Sequence, residues 1–389
     1  MFRDTYAEVN LHHIHQNIVT IRQHLPHAVK LMAVIKANGY GHGDIQAAQI
    51  AEQAGADMLA VAFLEEALHL RDCGVQLPIL IFTPVHPQEV PLAIAKDLML
   101  TVHSAAWFQE MRAYKSPNSL EPLKVHVKMN TGLGRLGIND IQEWEELAPW
   151  LTAEDIKVEG VYTHFATAGH ADSTYLMQQY ERFLEMKEWT KAAGIPVHHF
   201  HCAGSAAAIR FPELTMDMVR IGAALFGFNP AKAASDLQLE PVLSLHSSII
   251  QVRKVRKGDY IGYDNRYQAK QDEWIGTIPL GYADGWSQRM QGTSVLVNGT
   301  RAHIVGKICM DHLMVRLTAP CSPGAPVTLI GSQGDDAITC AELAAHIDSV
   351  PQEITTSLTT RITKIYKGEA GEEWNSWEQR KDSKIAYIN

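Results

Sequence analysis

Lys36 stands where an apolar run, Leu31-Met32-Ala33-Val34-Ile35, gives way to Ala37-Asn38-Gly39-Tyr40-Gly41-His42-Gly43. A short apolar run of this kind reads as a buried parallel strand. The glycines at 39, 41 and 43 then break regular structure. An ammonium at the end of a buried strand is costly unless it is paired, neutralised or used covalently. Lys36 therefore either snorkels to solvent or, partly desolvated, becomes an amine able to form a Schiff base with a carbonyl. Tyr40 and His42 place a phenol and an imidazole on the same loop.

Other reactive side chains fall at the ends of further strand-like runs. Arg135 lies in the glycine-rich stretch after 124–129, and His164 follows the run 158–163. Ser205 lies in the segment His201-Cys202-Ala203-Gly204-Ser205, and Arg220, Gly222 and Ala223 lie in 218–225. A lone histidine at a strand end is more often structural, and a lone arginine is more often part of a salt bridge. A lysine, two arginines, a histidine and a Ser/Gly pair together outweigh that reading. Gly222 lets backbone approach a ligand closely, its N–H suits a phosphate, and Ser205 adds a hydroxyl. An anionic ligand carrying an aldehyde for Lys36 points to pyridoxal phosphate. A carbonyl-binding lysine in an aldolase-like barrel is the alternative.

The elements that must position these groups follow an alternating pattern. Strand-like runs at 31–35, 58–62, 78–82, 98–102, 124–129, 158–163, 196–200 and 218–225 are separated by helical patterns such as 44–54, 64–73 and 174–193. A strand at 5–11 and a helix at 12–24 precede them. This makes about eight strand–helix units, the count of an α/β fold with a (β/α)8 TIM-type barrel, in which chemistry sits at the C-terminal strand ends. A doubly wound open sheet has the same periodicity, and the run 218–225 reads equally well as helix. After 240 the pattern becomes strand and turn, with turns at Lys257-Gly258-Asp259 and Asn298-Gly299. The 389 residues thus divide into an expected barrel domain, 1–238, and a C-terminal mostly-β domain, 239–389. The charged tail from 368 is expected to pack as a short strand or lie loose.

Composition narrows the partners. A net charge of −9 argues against nucleic acid as the main partner. The five cysteines are dispersed and lack paired spacing, so neither a disulfide framework nor a metal site is expected. The N-terminal residues lack the apolar core of a signal peptide, and no apolar stretch is long enough to span a bilayer, which fits a cytoplasmic protein.

The stretch Val34-Ile35-Lys36-Ala37-Asn38-Gly39-Tyr40-Gly41-His42-Gly43 resembles the cofactor-lysine motif of bacterial alanine racemases. RDTYAEVNL, VKMNTGLGRLGI, YTHFATA, HCAGSAA, MVRIG, EWIGTIPLGYADGW and VGKICMD extend the resemblance along nearly the whole chain in the family's order. The resemblance implies a barrel followed by a β domain, a pyridoxal-phosphate-dependent interconversion of L- and D-alanine that supplies peptidoglycan, and a homodimer in which each active site is completed by the other β domain. It assigns Lys36 as the lysine that carries the cofactor and Tyr263 as the second catalytic base, given by the other subunit. It places Arg220 at the pyridine nitrogen and His164 beside the cofactor ring. Tyr40, Ser205, Gly222 and Ala223 fall at phosphate-binding positions, Arg135 and Met310 at positions facing the substrate carboxylate. Racemisation removes a proton from one face of the α-carbon and returns one on the other, so two bases are needed. Lys36 is expected on the D-substrate face and Tyr263 on the L-face.

Several positions depart from the family pattern. Gly204 stands for an asparagine, Asp264 for a glycine after Tyr263, and Lys307 for an arginine. Gly169 and Gln288 replace a charged pair near the mouth of the site, and Thr360 replaces a tyrosine there. Lys128 aligns with a lysine that is carbamylated in some members.

Overall fold

The computed structural model describes residues 3–115, 121–231 and 235–368. The chain divides into two compact units: His13–Glu240, and Met1–His12 together with Pro241–Asn389. The first twelve residues, expected with the barrel, are therefore grouped with the C-terminal unit. The reason is strand pairing. Strand β1 (Tyr6–Asn10) runs antiparallel to β10 (Leu243–Ser248) and parallel to β20 (Thr363–Lys367), so both its edges are used in that unit. Ala7 and Val9, which alternate along β1, are buried.

The larger unit is built on eight parallel strands: β2 (Lys30–Val34), β3 (Met58–Val61), β4 (Ile79–Ile81), β5 (Leu98–Val102), β6 (Leu123–Lys128), β7 (Ile156–Tyr162), β8 (His199–His201) and β9 (Met218–Ile221). Each pairs with the next from β2 to β8, and β9 returns beside β2. The Asp217 amide donates to the Phe200 carbonyl (3.1 Å) and the Arg220 amide to the Ala203 carbonyl (2.9 Å), so the segment after β8 meets β9. The sheet is thus a nearly closed barrel and not an open doubly wound sheet. The run 218–225 is partly strand and partly a tight helical turn, Ala223–Phe226. The strands are almost wholly buried, as near-continuous apolar runs require when both faces are covered. Met32, Val34, Met58, Ala60, Leu80, Met99 and Met218 form one buried cluster, with Tyr40 and Phe82 against it.

The smaller unit carries a ten-stranded sheet and a separate two-stranded hairpin, β12 (Tyr260–Ile261) with β13 (Tyr267–Gln268). The Asn298-Gly299 turn joins two of its strands as expected, with both residues at positive φ. Two short helices, Cys340–His346 and Pro351–Thr356, interrupt the strand pattern. Thr339 caps the first through the Glu342 amide, and Pro351 opens the second. Most of the tail expectation falls on residues 369–389, outside the described residues.

Candidate active site

Lys36 follows β2 directly, and the chain then makes a left-handed turn. Ala37, Asn38, Gly39 and Tyr40 all have φ between 52° and 58°. For residues other than glycine this costs roughly 1–2 kcal/mol each, so the turn has to be held by its surroundings. Glu66 does part of this. One of its carboxylate oxygens accepts from the Ala37 amide (2.6 Å), the other from the amides of Ala62 (2.7 Å) and Phe63 (3.1 Å). The Asn38 side-chain oxygen accepts from the Asp44 amide (3.1 Å). Burial makes Lys36 less basic than an ordinary lysine. The Arg135 charge adds to the effect and Glu66 opposes it.

Tyr40 turns back from this loop onto Phe226, ring centroids 5.2 Å apart. Its hydroxyl lies against Gly222, where a Cβ would come within 2.4 Å of it. Only glycine allows that approach. Burial pushes the Tyr40 phenol up to about 12, so it remains a donor. Ser205 is buried, and its Oγ accepts from the amides of Gly222 (3.1 Å) and Ala224 (3.3 Å). Tyr40, Ser205, Gly222 and Ala223 are therefore gathered around three neighbouring strand ends, those of β2, β8 and β9. A cradle of hydroxyls and backbone amides with no carboxylate among these four residues suits a phosphate. His42, which shares the loop, is structural: its Nδ1 lies 3.0 Å from the Gly39 and Tyr40 carbonyls, and its ring stacks on Phe226.

Arg220 is buried in a web of acceptors. Nη2 donates to the Thr163 carbonyl (2.6 Å), the Cys202 carbonyl (3.1 Å) and His164 Nδ1 (3.0 Å). Nη1 donates to His201 Nδ1 (2.9 Å) and the His201 carbonyl (3.1 Å). A guanidinium cannot accept, so each imidazole must present a bare Nδ1 and carry its proton on Nε2. Burial and the Arg220 charge hold His164 and His201 well below the usual histidine range, so both rings are neutral. His201 passes the pattern on, its Nε2 standing 2.9 Å from Nδ1 of His126 in β6. A Cβ at Gly204 would lie 3.0 Å from His164 Cε1, so the position where the family pattern has asparagine is pressed against this ring.

Arg135 is exposed on a loop that folds back on the end of β6. The Ile138 amide donates to the Lys128 carbonyl (2.9 Å) and the Asn130 amide to the Ile138 carbonyl (2.8 Å). Lys128 is 4% exposed, and its ammonium nitrogen sits 4.4 Å from the Tyr162 ring centroid. Burial, then the charges of Arg220 and Arg135, hold it well below the usual lysine range. Among the described residues no group of three or more acidic, histidine or cysteine side chains could hold a metal ion.

Tyr263 and Met310 belong to the other unit, where both are exposed. Gln288 donates through Nε2 to the Ile308 carbonyl (3.1 Å), which makes it a brace of the segment before Met310. Sequence reasoning assigned no role to His126 or Glu66. The signal for His126 was a histidine inside an apolar strand, a buried polar group that must find a partner.

Residues 9–230 match the family model "Alanine racemase, N-terminal domain", and residues 242–366 match "Alanine racemase, C-terminal domain". The alanine racemase of Geobacillus stearothermophilus is 44% identical over 369 residues, 94% of each chain. Alanine racemase 1 of Bacillus subtilis is 40% identical over 371 residues, 94% of this chain and 93% of that one. A crystal structure of alanine racemase from Bacillus anthracis with bound L-Ala-P superposes with a TM-score of 0.92 at 39% identity, covering 98% of this chain and 99% of that chain. A histidine racemase from Leuconostoc mesenteroides superposes with a TM-score of 0.84 at 30% identity, covering 94% and 98%. With both halves matched in order and the two named relatives covered over 94% and 93% of their own length, the chain belongs to the alanine racemase family and is an amino-acid racemase.

Proposed function

We propose that this protein interconverts L- and D-alanine with pyridoxal phosphate, using Lys36 and Tyr263 as the two bases, and that the D-alanine serves peptidoglycan. The observation that carries the reading is the meeting of a weakened lysine base with a phosphate-suited cradle on the adjacent strands β2 and β9. Lys36 would hold the cofactor covalently. Tyr40, Ser205, Gly222 and Ala223 would hold its phosphate, Arg220 its ring nitrogen, and His164 the side of its ring. When bound, the cofactor supplies an electron-withdrawing ring that acidifies the α-proton of the amino acid joined to it.

The chain's own groups then do the proton work. Lys36 would be freed when the substrate's amine takes its place on the cofactor, and as a free amine, less basic through burial, it would exchange the proton on the D-face. Tyr263, from a second copy of this chain, serves the L-face. A phenol is a poor base near its reference value of about 10 and needs a donor to steady its anion. His164 is suited to this: Arg220 occupies its Nδ1, which leaves Nε2–H as the donor. Arg220 is pushed down to about 10 by burial and still keeps its proton at working pH. It therefore donates to a ring nitrogen without protonating it, which weakens the electron sink and disfavours side reactions such as transamination. Arg135 and the Met310 amide would hold the substrate carboxylate.

L-alanine incubated with the cofactor-loaded protein in heavy water tests this directly. The expected product is deuterated D-alanine, and Tyr263→Phe should abolish it while leaving the cofactor's absorbance in place. Deuterated L-alanine alone would remove the second base. A broader amino-acid substrate range is the second reading. It is favoured by the exposed Thr360, in place of a tyrosine, and by the likeness to a histidine racemase. Comparing alanine with serine and histidine separates the two.

A further inference from the structure

Tyr263 lies at the tip of the β12–β13 hairpin, whose root is buried. Ile261 packs with Val255, Ala269, Ile275 and Val305. The tip itself is exposed and takes an unfavourable backbone course. Gly262 (φ 79°) precedes Tyr263, and Asp264 (φ 57°) and Asn265 (φ 51°) follow it in the left-handed region. Asp and Asn tolerate that region better than most residues, but two in succession have to be held there.

A second segment, 306–310, lies directly beside the hairpin. A Cβ at Gly306 would come within 2.7 Å of the Ile261 carbonyl oxygen, and one at Gly262 within 3.2 Å of the Lys307 nitrogen. This segment is pinned along its length. Gln291 Nε2 donates to the Gly306 carbonyl (2.8 Å) and Gln288 Nε2 to the Ile308 carbonyl (3.1 Å). The amides of Tyr282 and Ala283 donate to the carbonyls of Cys309 (3.0 Å) and Met310 (3.0 Å). From this fixed segment Lys307 Nζ reaches across to Asp264 Oδ2 in a charge-assisted hydrogen bond. Asp264 and Lys307 are two of the departures from the family pattern, and they meet in a single contact.

We propose that Asp264 and Lys307 are a positioning pair. Their ion pair locks the hairpin tip onto the segment that ends at Met310, and so fixes the Tyr263 hydroxyl relative to the Met310 amide. The inference rests on the roles given above to Tyr263 and Met310. A base and the anchor of the same substrate's carboxylate must hold a constant separation for the α-proton to stay in line. Exposed ion pairs contribute little to overall stability. The effect here is local: the pair selects one geometry of a strained tip. Neither residue touches the substrate.

The test uses the cofactor-loaded enzyme with Asp264→Asn, Lys307→Met, the double variant and Lys307→Arg. Asparagine keeps the left-handed preference and removes only the charge. Each single variant should lower kcat for L-alanine by about threefold to tenfold while KM moves less than about twofold. The isotope effect with α-deuterated L-alanine should rise, because a misplaced base makes proton abstraction slower relative to the other steps. A residue that only supports the fold would not produce that rise. The double variant should be no worse than the singles, and Lys307→Arg should keep most of the activity. Wild-type kcat and isotope effect in both single variants, or losses that multiply in the double, would overturn the pair. Tyr263→Phe run alongside separates the two levels. Racemisation surviving in that variant removes the base assignment itself, whereas its loss beside unaffected Asp264→Asn and Lys307→Met removes only the pair.

Discussion

At the scale of single residues, the floor of the barrel site is a run of groups that fix one another's protons. Arg220 donates to His201, His201 donates to His126, and His126 is left with a buried Nε2–H that has no hydrogen-bond partner among the described residues. Burial, with nearby positive charge, holds all three imidazoles below the usual range, His126 at about 3 and His164 and His201 in the same direction. The consequence for stability has a definite sign. Below about pH 6.5 the unfolded chain binds protons that the folded chain refuses, so the folded state loses ground as pH falls. Each ring contributes up to about 1.4 kcal/mol per pH unit inside the window between its folded value and 6.5. Urea unfolding of the barrel unit should therefore show a falling midpoint between about pH 7 and pH 5. A flat profile over that range would mean that these rings take up protons inside the fold. The linkage for Lys36 and Lys128 has the same sign at higher pH: their burial cost is relieved as pH rises through the lowered folded values toward 10.5.

At the scale of elements, β1 shows what sequence can and cannot reveal. Its alternation was legible, and so were the helix behind it and the eight apolar runs of the barrel, because burial imposes a period on the chain. Its place between β10 and β20 was not, since a strand's period does not name its partners. The same limit hid the closure of β8 toward β9, and the short hairpin around Tyr263. The left-handed turn at 37–40 was half visible. Its glycines announced a break, but Ala37 and Tyr40 carry no sign of positive φ, and the turn is held by Glu66 from another helix and by the Asn38 side chain within the turn itself. Lys36, Arg220, Gly222 and Ser205 stood out because polar or flexible residues at the ends of apolar strands need a reason. His126 and His201 as a relay, and Asp264 with Lys307, needed coordinates. The role of β1 makes a prediction at this scale. Deleting residues 1–10 removes β1, the Thr5–Ser247 hydrogen bond (2.8 Å) and the Arg3 partner of buried Asp284 (2.8 Å). Amide hydrogens in β10 and β20 should lose protection from exchange while β2–β7 keep theirs. Unchanged protection in β10 and β20 would show that these strands hold without it.

At the scale of the whole molecule, the two proposed bases are carried by different units of the chain. Tyr263 is 68% exposed and Met310 53% exposed, large side chains on the open face of the smaller unit. A phenol that moves a proton to and from carbon, and an amide that holds a carboxylate, both work best with water excluded. Something has to cover that face, and a second copy of the same chain is the occupant the proposed homodimer supplies, with a twofold axis making the two sites equivalent. Mixing two inactive variants tests this without any structure of the pair. Lys36→Ala keeps Tyr263, and Tyr263→Phe keeps Lys36. If each site takes its lysine from one chain and its tyrosine from the other, a mixed dimer has one intact site and one doubly impaired site. Random reassortment of equal amounts makes half the dimers mixed, so the mixture should recover about a quarter of wild-type activity. If both bases of a site came from the same chain, neither variant would contain an intact site in any combination. The mixture would then stay as inactive as its components, and the shared-site arrangement would have to be abandoned.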